Sequence, residues 1–555
     1  MIAYPTVNVK DPPAHEKASH GFPEAPGLME QKIRGVEHEL AMNTRPRLPH
    51  GSLVHLVGMA IEELKKAGLV TGIRVEEPRL DYMALNGFRV YDDMSHLELS
   101  SPSYNTPLEA VVYDRVAELF AYTAATGLGS YFKGVSVYKN NVSNVWEGGG
   151  WRAVSYSTHS SILMDRRVCN PGVWGRLEAA LAPFMATRIP LTGGGDYVPC
   201  NADGKLPRPG KVMKGDGLRF AISPRAAFVK RVSSNDTVDA RGLLNQRDDP
   251  HADPSKYWRL HDINWEGLRS PFQVYLRDCL ETLVLTAYER GYLENPPRLA
   301  DPVDAAKRLT MDTEQCSWRV ALEGGEEVDA IADVMEGFYL AGVEEMMSEG
   351  DPSEDDRRAF KLIEATLQGL GERRLELFID GVDWVTKKAL VEEYAGDAEE
   401  GLAVVNQYAL IDGAALEYMG EESGETHTTF SWADSLGFAR DAIPWVDWDG
   451  LAEKVEKALR MGPEATREYI RCLVAREFPF LVESIEWESI NLYRASIRLD
   501  EPFMFNKTMC GDALETATGT FNEFTQALDR LNREGGHMVY TPTDDHEKRD
   551  AEEAS

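Results

Sequence analysis

Between Gly87 and Leu99 the chain reads Gly-Phe-Arg-Val-Tyr-Asp-Asp-Met-Ser-His-Leu-Glu-Leu, a strand-like stretch that carries Asp92, Asp93, His96 and Glu98. Crowding ionisable groups into a strand is costly unless something uses them. In an extended segment alternate side chains share a face, which predicts Asp92, Met94, His96 and Glu98 on one side and Tyr91 and Asp93 on the other. A carboxylate and an imidazole two residues apart then form a metal-binding edge. Upstream, Ile33 to Leu40 places Glu37 and Glu39 on one strand face, a spacing at which both can reach a hard cation. The competing reading of either segment is an edge strand with an acidic solvent face.

With 555 residues the chain has ample length for a sizeable core, and its 43% hydrophobic and 27% charged content is that of a globular protein. No apolar run approaches the ~20 residues needed to cross a bilayer, so a membrane-spanning role is not expected. Against 59 basic residues stand 91 acidic ones, a formal charge of -32. Nucleic acid needs a positive footprint and is therefore not an expected partner. The six cysteines, Cys169 to Cys510, include no close pair, so neither a zinc knuckle nor a disulfide framework is indicated. The N-terminus carries no secretory pattern, and the cytoplasm is the expected compartment.

Residues 1–30 are rich in Pro, His and Glu, and 541–555 in charged residues, so both ends read as tails. Between them the pattern predicts helices over about 53–67, 107–125 and 172–186. Strands are expected at 135–138, 218–222 and 227–232, and the chain reads as largely helical beyond about 253. Trp146-Glu147-Gly148-Gly149-Gly150-Trp151 reads as a hairpin tip or flap. An antiparallel sheet followed by helices indicates an α+β fold. We expect a main domain over 31–444 and a small C-terminal domain over 445–540.

Glu37, Glu39, His96, Glu98 and His159 are the residue types that hold Mg²⁺ or Mn²⁺, and they fall on successive expected strands. Taken alone, His159 in Ser-Thr-His-Ser reads as a hydrogen-bonded structural residue. Arg225 and Arg247 are candidates to clamp phosphate oxygens, with a salt bridge to Asp248 or Asp249 as the alternative for Arg247. Thr192-Gly193-Gly194-Gly195 reads as a turn ahead of a phosphate cradle. No Walker loop, dinucleotide fingerprint or nucleophile elbow is present.

The ordered runs Gly35-Val36-Glu37-His38-Glu39, Tyr91 to Glu98, Tyr138-Lys139-Asn140-Asn141-Val142, Asn245 to Asp253 and Arg259-Leu260-His261 resemble the Pup ligase and depupylase family. The resemblance implies a glutamine-synthetase-like curved antiparallel sheet holding ATP and Mg²⁺. It implies Glu37, Glu39, Glu98 and His159 as metal ligands, Arg225, Arg247 and His251 as nucleotide contacts, and Asp93, with Asp92 as the alternative, as the catalytic aspartate; strand alternation sets Asp93 on the face away from Glu98. The implied reaction joins the C-terminal Glu of a small ubiquitin-like (Pup-like) modifier to substrate lysines through an acyl phosphate. The alternatives are the family's isopeptidase or deamidase activity, or a non-catalytic modifier-binding homologue.

Two departures stand out. Ser160 and Ser161 follow His159 where the family has Glu and Asn. After His261 the expected acidic and amide positions read either as Glu266, Leu268 and Pro271 or, with a shortened loop, as Asp262 and Asn264. The chain lacks a long insertion between Glu39 and Asp93, which favours the ligase branch, whereas the Asp93-to-His96 spacing is more like depupylases.

Overall fold

The computed structural model describes residues 27–48, 52–75, 80–411, 432–492, 495–510, 526 and 540–542. The tails expected at 1–30 and 541–555 lie almost wholly outside the described residues, as does most of 511–539. Among the described residues no helix is long and apolar enough to cross a membrane.

The scaffold is a nine-stranded antiparallel sheet built on β1 (Arg34–Arg45). Its other strands are β2 (Val70–Arg74), β3 (Asp81–Ala84), β4 (Arg89–Asp93), β5 (His96–Ser100), β6 (Gly134–Tyr138), β7 (Thr158–Asp165), β8 (Tyr257–Asp262) and β9 (Leu410–Ile411). The order is β8-β7-β1-β5-β4-β3-β2, while β6 takes the C-terminal half of β1 and β9 pairs with β6. β1 alternates strictly over its first eight residues. Val36, His38 and Leu40 are buried on one face, which leaves Glu37 and Glu39 for the other.

Helices cover the apolar face. α1 (Leu53–Lys66) and α2 (Pro107–Leu128) pack against each other and the sheet. α2 starts where the sequence says it should: Thr106 Oγ1 accepts from Glu109 N, the Glu109 carboxylate reaches back to the Thr106 backbone, and Pro107 occupies the first turn. α3 (Trp174–Thr187) and α4 (Pro271–Glu289) complete the layer, and Leu97, Leu99, Phe120 and Leu283 share its core.

Charged groups are also buried at the edge of that layer. Lys139, just after β6, reaches Asp114 Oδ1 at 2.5 Å and Glu118 Oε1 at 3.1 Å, both on α2; Arg115 and Arg269 close the cluster from the other side. Helix Leu451–Ala458 packs on α2 in the main core. Helix Glu468–Glu477 and strands Val482–Ile485, Ser489–Leu492, Ala495–Arg498 and Tyr540–Pro542 surround a second core, which extends to Ile73 of β2 and Met83 of β3.

Two local expectations are corrected. Residues 227–232 are not one strand: Pro224 fixes a helical φ and Ser223 Oγ accepts from Ala226 N, so a 3₁₀ turn spans Pro224–Phe228 before a strand at Arg231–Ser234. Beyond 253 the chain first supplies β8 and only then turns helical. The glycine-rich excursion is a hairpin tip between Val142–Glu147 and Gly150–Ser155, with Gly148 and Gly149 at φ +64° and +81°. The Gly193–Gly195 loop is a packing loop. Gly194 N donates to Glu266, Lys387 Nζ to the carbonyls of Gly194 and Gly195, and a Cβ at Gly193 would stand 2.4 Å from Ile222 O.

Candidate active site

The Asp92–Asp93 stretch is a hairpin, not one strand. β4 and β5 are joined by Met94 and Ser95, at φ +48° and +74°, the left-handed pair that a two-residue hairpin requires. The register sets Asp93 opposite His96 and Tyr91 opposite Glu98. Residues directly opposite project to the same face. Asp93 therefore shares a face with Glu98, and Asp92 takes the other with Leu97, which overturns the alternation read from the sequence. Met94 is 56% exposed and its positive φ disfavours a side chain without a local polar group. Replacing it by Asn is expected to stabilise the protein by about 0.5–1 kcal/mol, read as a higher denaturant midpoint.

Register also gathers the remaining acids. Glu39 stands opposite Glu98, and Glu37 opposite both Ser100 and His159. Glu39, Asp93 and Glu98 each offer a carboxylate oxygen within 4.8 Å of the others. Burial, then Glu39, Glu37 and Asp93, push Glu98 well above the ordinary carboxylate range, while the Tyr91 hydroxyl donates to it. Asp93 is raised by burial and then by Glu39. Glu39 is held at about 2: burial opposes ionisation, but His159 outweighs it. Three mutually repelling carboxylates are the donor set that a hard cation such as Mg²⁺ satisfies.

Beside this group His159 lies between the two acids of β1, Nδ1 at 3.5 Å from Glu37 and Nε2 at 3.4 Å from Glu39. Arg225, 1% exposed, contacts His159 Nε2 at 3.0 Å and donates to Ile263 O and Ser155 Oγ. Arg241, the residue before strand Gly242–Asn245, donates to Ser155 O, so two buried guanidinium groups meet around Ser155. On the opposite flank lies a cavity whose lining includes Glu37, Ser101, His251, Arg259, Arg467 and Trp487. Trp487 forms an aromatic wall, with the His251 ring 5.4 Å away and the Arg89 guanidinium 5.4 Å from its ring centre. Arg259 spans cavity and carboxylates, donating to Glu37 Oε1 at 3.2 Å and to Ser161 Oγ at 2.9 Å.

The fold thus brings Glu37, Glu39, Asp93, Glu98, His159 and Arg225 together, and puts His251 at the cavity. Arg247 is not among them. Its side chain is 57% exposed and faces Asp249 at 3.9 Å, the salt-bridge alternative, and Asp249 links it to Arg259. Of the altered positions, Ser161 lines the cavity and Ser160 faces away from it, in register with Asp262. Asp262 is paired with Arg188 beneath the sheet, and Glu266 accepts from Gly194 N, Ser223 Oγ and Arg225 N. Sequence reading missed Arg241, Arg259, His261 and Trp487. Arg259 and His261 carried a usable signal, two residues apart in a strand that reaches the same face.

An antiparallel sheet backed by helices, with carboxylates, histidines and arginines on its open face, is an α+β scaffold. A profile of the Pup-ligase protein family matches residues 31–491, and the chain belongs to that family, whose members are ligases or depupylases. A Pup deamidase/depupylase of Mycolicibacterium smegmatis is 32% identical over 313 residues, 56% of this chain and 57% of that protein. The match thus spans little more than half the depupylase's length. A Pup--protein ligase of Corynebacterium jeikeium is 26% identical over 421 residues, 73% of this chain and 82% of that one. The ligase PafA in complex with the prokaryotic ubiquitin-like protein Pup superimposes with a TM-score of 0.68 at 21% identity, covering 91% of this chain and 93% of that one. PafA in complex with ADP gives 0.61 over 82% and 91%. At that identity the likeness establishes the fold.

Proposed function

We propose that the protein is an ATP- and Mg²⁺-dependent carboxylate-amine ligase that joins the C-terminal Glu of a Pup-like modifier to lysines of protein substrates. One observation carries the reading: a carboxylate group, Glu39, Asp93 and Glu98, lies between an aromatic- and arginine-lined cavity and a pair of buried arginines. The cavity suits a nucleotide base and its phosphates, and the Arg225–Arg241 side suits the oxygen-rich group being transferred. The proposed small unit over 445–540 contributes Trp487 and Arg467 to the cavity, and its own core supports treating it as a domain.

Glu37, Glu39, Glu98 and His159 would hold Mg²⁺, with Asp93 beside them and free of the ion; bound there, the ion would offset phosphate charge. ATP gives its terminal phosphoryl group to the modifier's carboxylate and ADP leaves. Arg225 and Arg241 neutralise the acyl phosphate, and Arg247 and His251 act from the cavity rim. The lysine nitrogen then attacks the acyl carbon, a C–N bond forms, and the C–O bond to phosphate breaks. Asp93 takes the proton that the amine must lose.

Incubating the protein with ATP, Mg²⁺, a lysine-bearing substrate and the prokaryotic ubiquitin-like protein Pup tests this directly. Adduct together with ADP supports it. Cleavage of a preformed conjugate supports the second reading, a depupylase, which the 32% identity over the matched region favours. If neither product forms and nucleotide does not bind, both readings fall. Trp487→Ala is expected to weaken nucleotide binding about 10-fold or more, the worth of a lost aromatic wall, measured by calorimetry.

A further inference from the structure

We infer that Arg471, locked by Glu468, is a positioning residue: it fixes the Trp487 wall against the main body and so sets the width of the cavity. This deepens the proposed function and rests on its reading of the cavity as a nucleotide site. Neither Arg471 nor Glu468 lines that cavity.

Trp487 is half-buried and lies in a short turn, residues 486–488, between strands Val482–Ile485 and Ser489–Leu492. In so short a turn the place of the ring follows the backbone. Glu486 N donates to Ser489 O, and Leu499 N to Glu488 O. The carbonyls of Glu486 and Trp487 are taken by Arg471, whose Nη2 donates to Trp487 O at 2.7 Å and to Glu486 O at 3.4 Å.

Arg471 is itself held. Residues three apart share a helix face. On helix Glu468–Glu477 this brings Arg471 Nη1 within 2.6 and 2.5 Å of the two Glu468 oxygens, and neither side chain is exposed at all. Burying such a pair returns its cost only when the remaining hydrogen bonds are met. They are met on two sides of the cavity. Ser103 Oγ donates to Glu468 Oε1 at 2.5 Å, and Thr466 Oγ1 donates to Ser103 O at 2.8 Å. Ser103, just beyond β5, lines the cavity from the main body, and Trp487 lines it from the small unit. Ser103, Glu468, Arg471 and Trp487 thus form one strut between two walls. Arginine suits this place because its planar fork meets a carboxylate and two carbonyls at once, whereas lysine presents a single point of charge.

Calorimetry on the full-length protein, with ADP and Mg²⁺ as the probe, tests the strut through a double-variant cycle. Arg471→Lys is expected to weaken ADP binding by about 5–10-fold. The Trp487→Ala/Arg471→Lys double variant should bind within about 2-fold of Trp487→Ala alone, because the wall that Arg471 holds is already gone. An arginine that served only the fold would add its loss in full, and that result overturns the inference. Wild-type affinity in folded Arg471→Lys overturns it equally. A second measurement needs no nucleotide: in Arg471→Lys, amide exchange should quicken at residues 486–489 and stay as it was in β1. Unchanged exchange at the turn overturns the inference. If neither wild type nor variants bind ADP, the nucleotide reading of the cavity fails, and exchange alone decides whether Arg471 positions Trp487. Melting curves check that each variant is folded. Glu468→Gln, which keeps the volume and one acceptor, takes the place of Arg471→Lys if that variant does not fold.

Discussion

Asp93→Asn is expected to lower turnover by about 10³-fold or more, toward the upper end of what a positioned proton acceptor supplies, while nucleotide binding survives. Wild-type activity in the variant would sink the assignment of Asp93. The variant carries a second expected signature. Because burial and then Glu39 raise Asp93 above its ordinary range, its ionised form is disfavoured in the folded protein. The sign follows: a carboxyl raised in the folded state lends stability when protonated and loses it as pH rises through the folded value. Removing the charge should therefore raise the melting temperature of metal-free protein at neutral pH, by on the order of 1 °C for a chain this long. That gain should fade as pH falls toward the ordinary Asp value of ~3.9, where both states are protonated.

Lys139→Met is expected to be among the most damaging single changes away from the reacting groups, costing about 3–5 kcal/mol by denaturant unfolding. Lys139 is 2% exposed and neutralises Asp114 and Glu118 together. Burial lowers its own pKa, yet the two carboxylates hold it in place as a cation. Without it, Arg115 and Arg269 face both acids alone. His38 cannot compensate: burial pulls its imidazole down to about 3, so it stays neutral beside Asp114. A double variant that also replaces Asp114 by Asn should recover part of the loss, since Asp114 Oδ1 is the acceptor that Lys139 leaves without its donor while Oδ2 keeps Arg115. Equal stability in the single and double variants would show that the cluster is not what the charge holds together.

What could be read from the chain follows how local the physics is. Glu37 and Glu39 alternate within one strand, and Thr106-Pro107 with Glu109 announces the start of α2, so both were legible. The two-residue turn at Met94–Ser95 was not, because neither residue is of the kind that favours positive φ; the alternation therefore ran through it and put Asp93 on the wrong face. Arg247 sits in the most distinctive motif of the chain but ends on Asp249, whereas Arg241, six residues earlier and without a motif, is the one beside Arg225 at Ser155. Trp487 and His261 come from segments far from Glu37, and no local pattern joins them to it. The family resemblance itself was carried by short runs such as Asn140-Asn141, where Asn141 Oδ1 accepts from Gly267 N and Ser157 Oγ. Those runs mark places where distant backbone is tied together.

β1 pairs with β5 and β7 along its first half and with β6 beyond, and Glu39 N donates to Ser157 O as Ser157 N donates to the Glu39 carboxylate. The first, ligand-bearing half of β1 thus has no free edge from which to peel. In deuterated solvent its amides should exchange only when the whole body of the protein opens, and therefore last of all. The Met94–Ser95 turn, one strand away, should exchange early, so that the same site joins the stiffest strand of the molecule to one of its most readily opened turns.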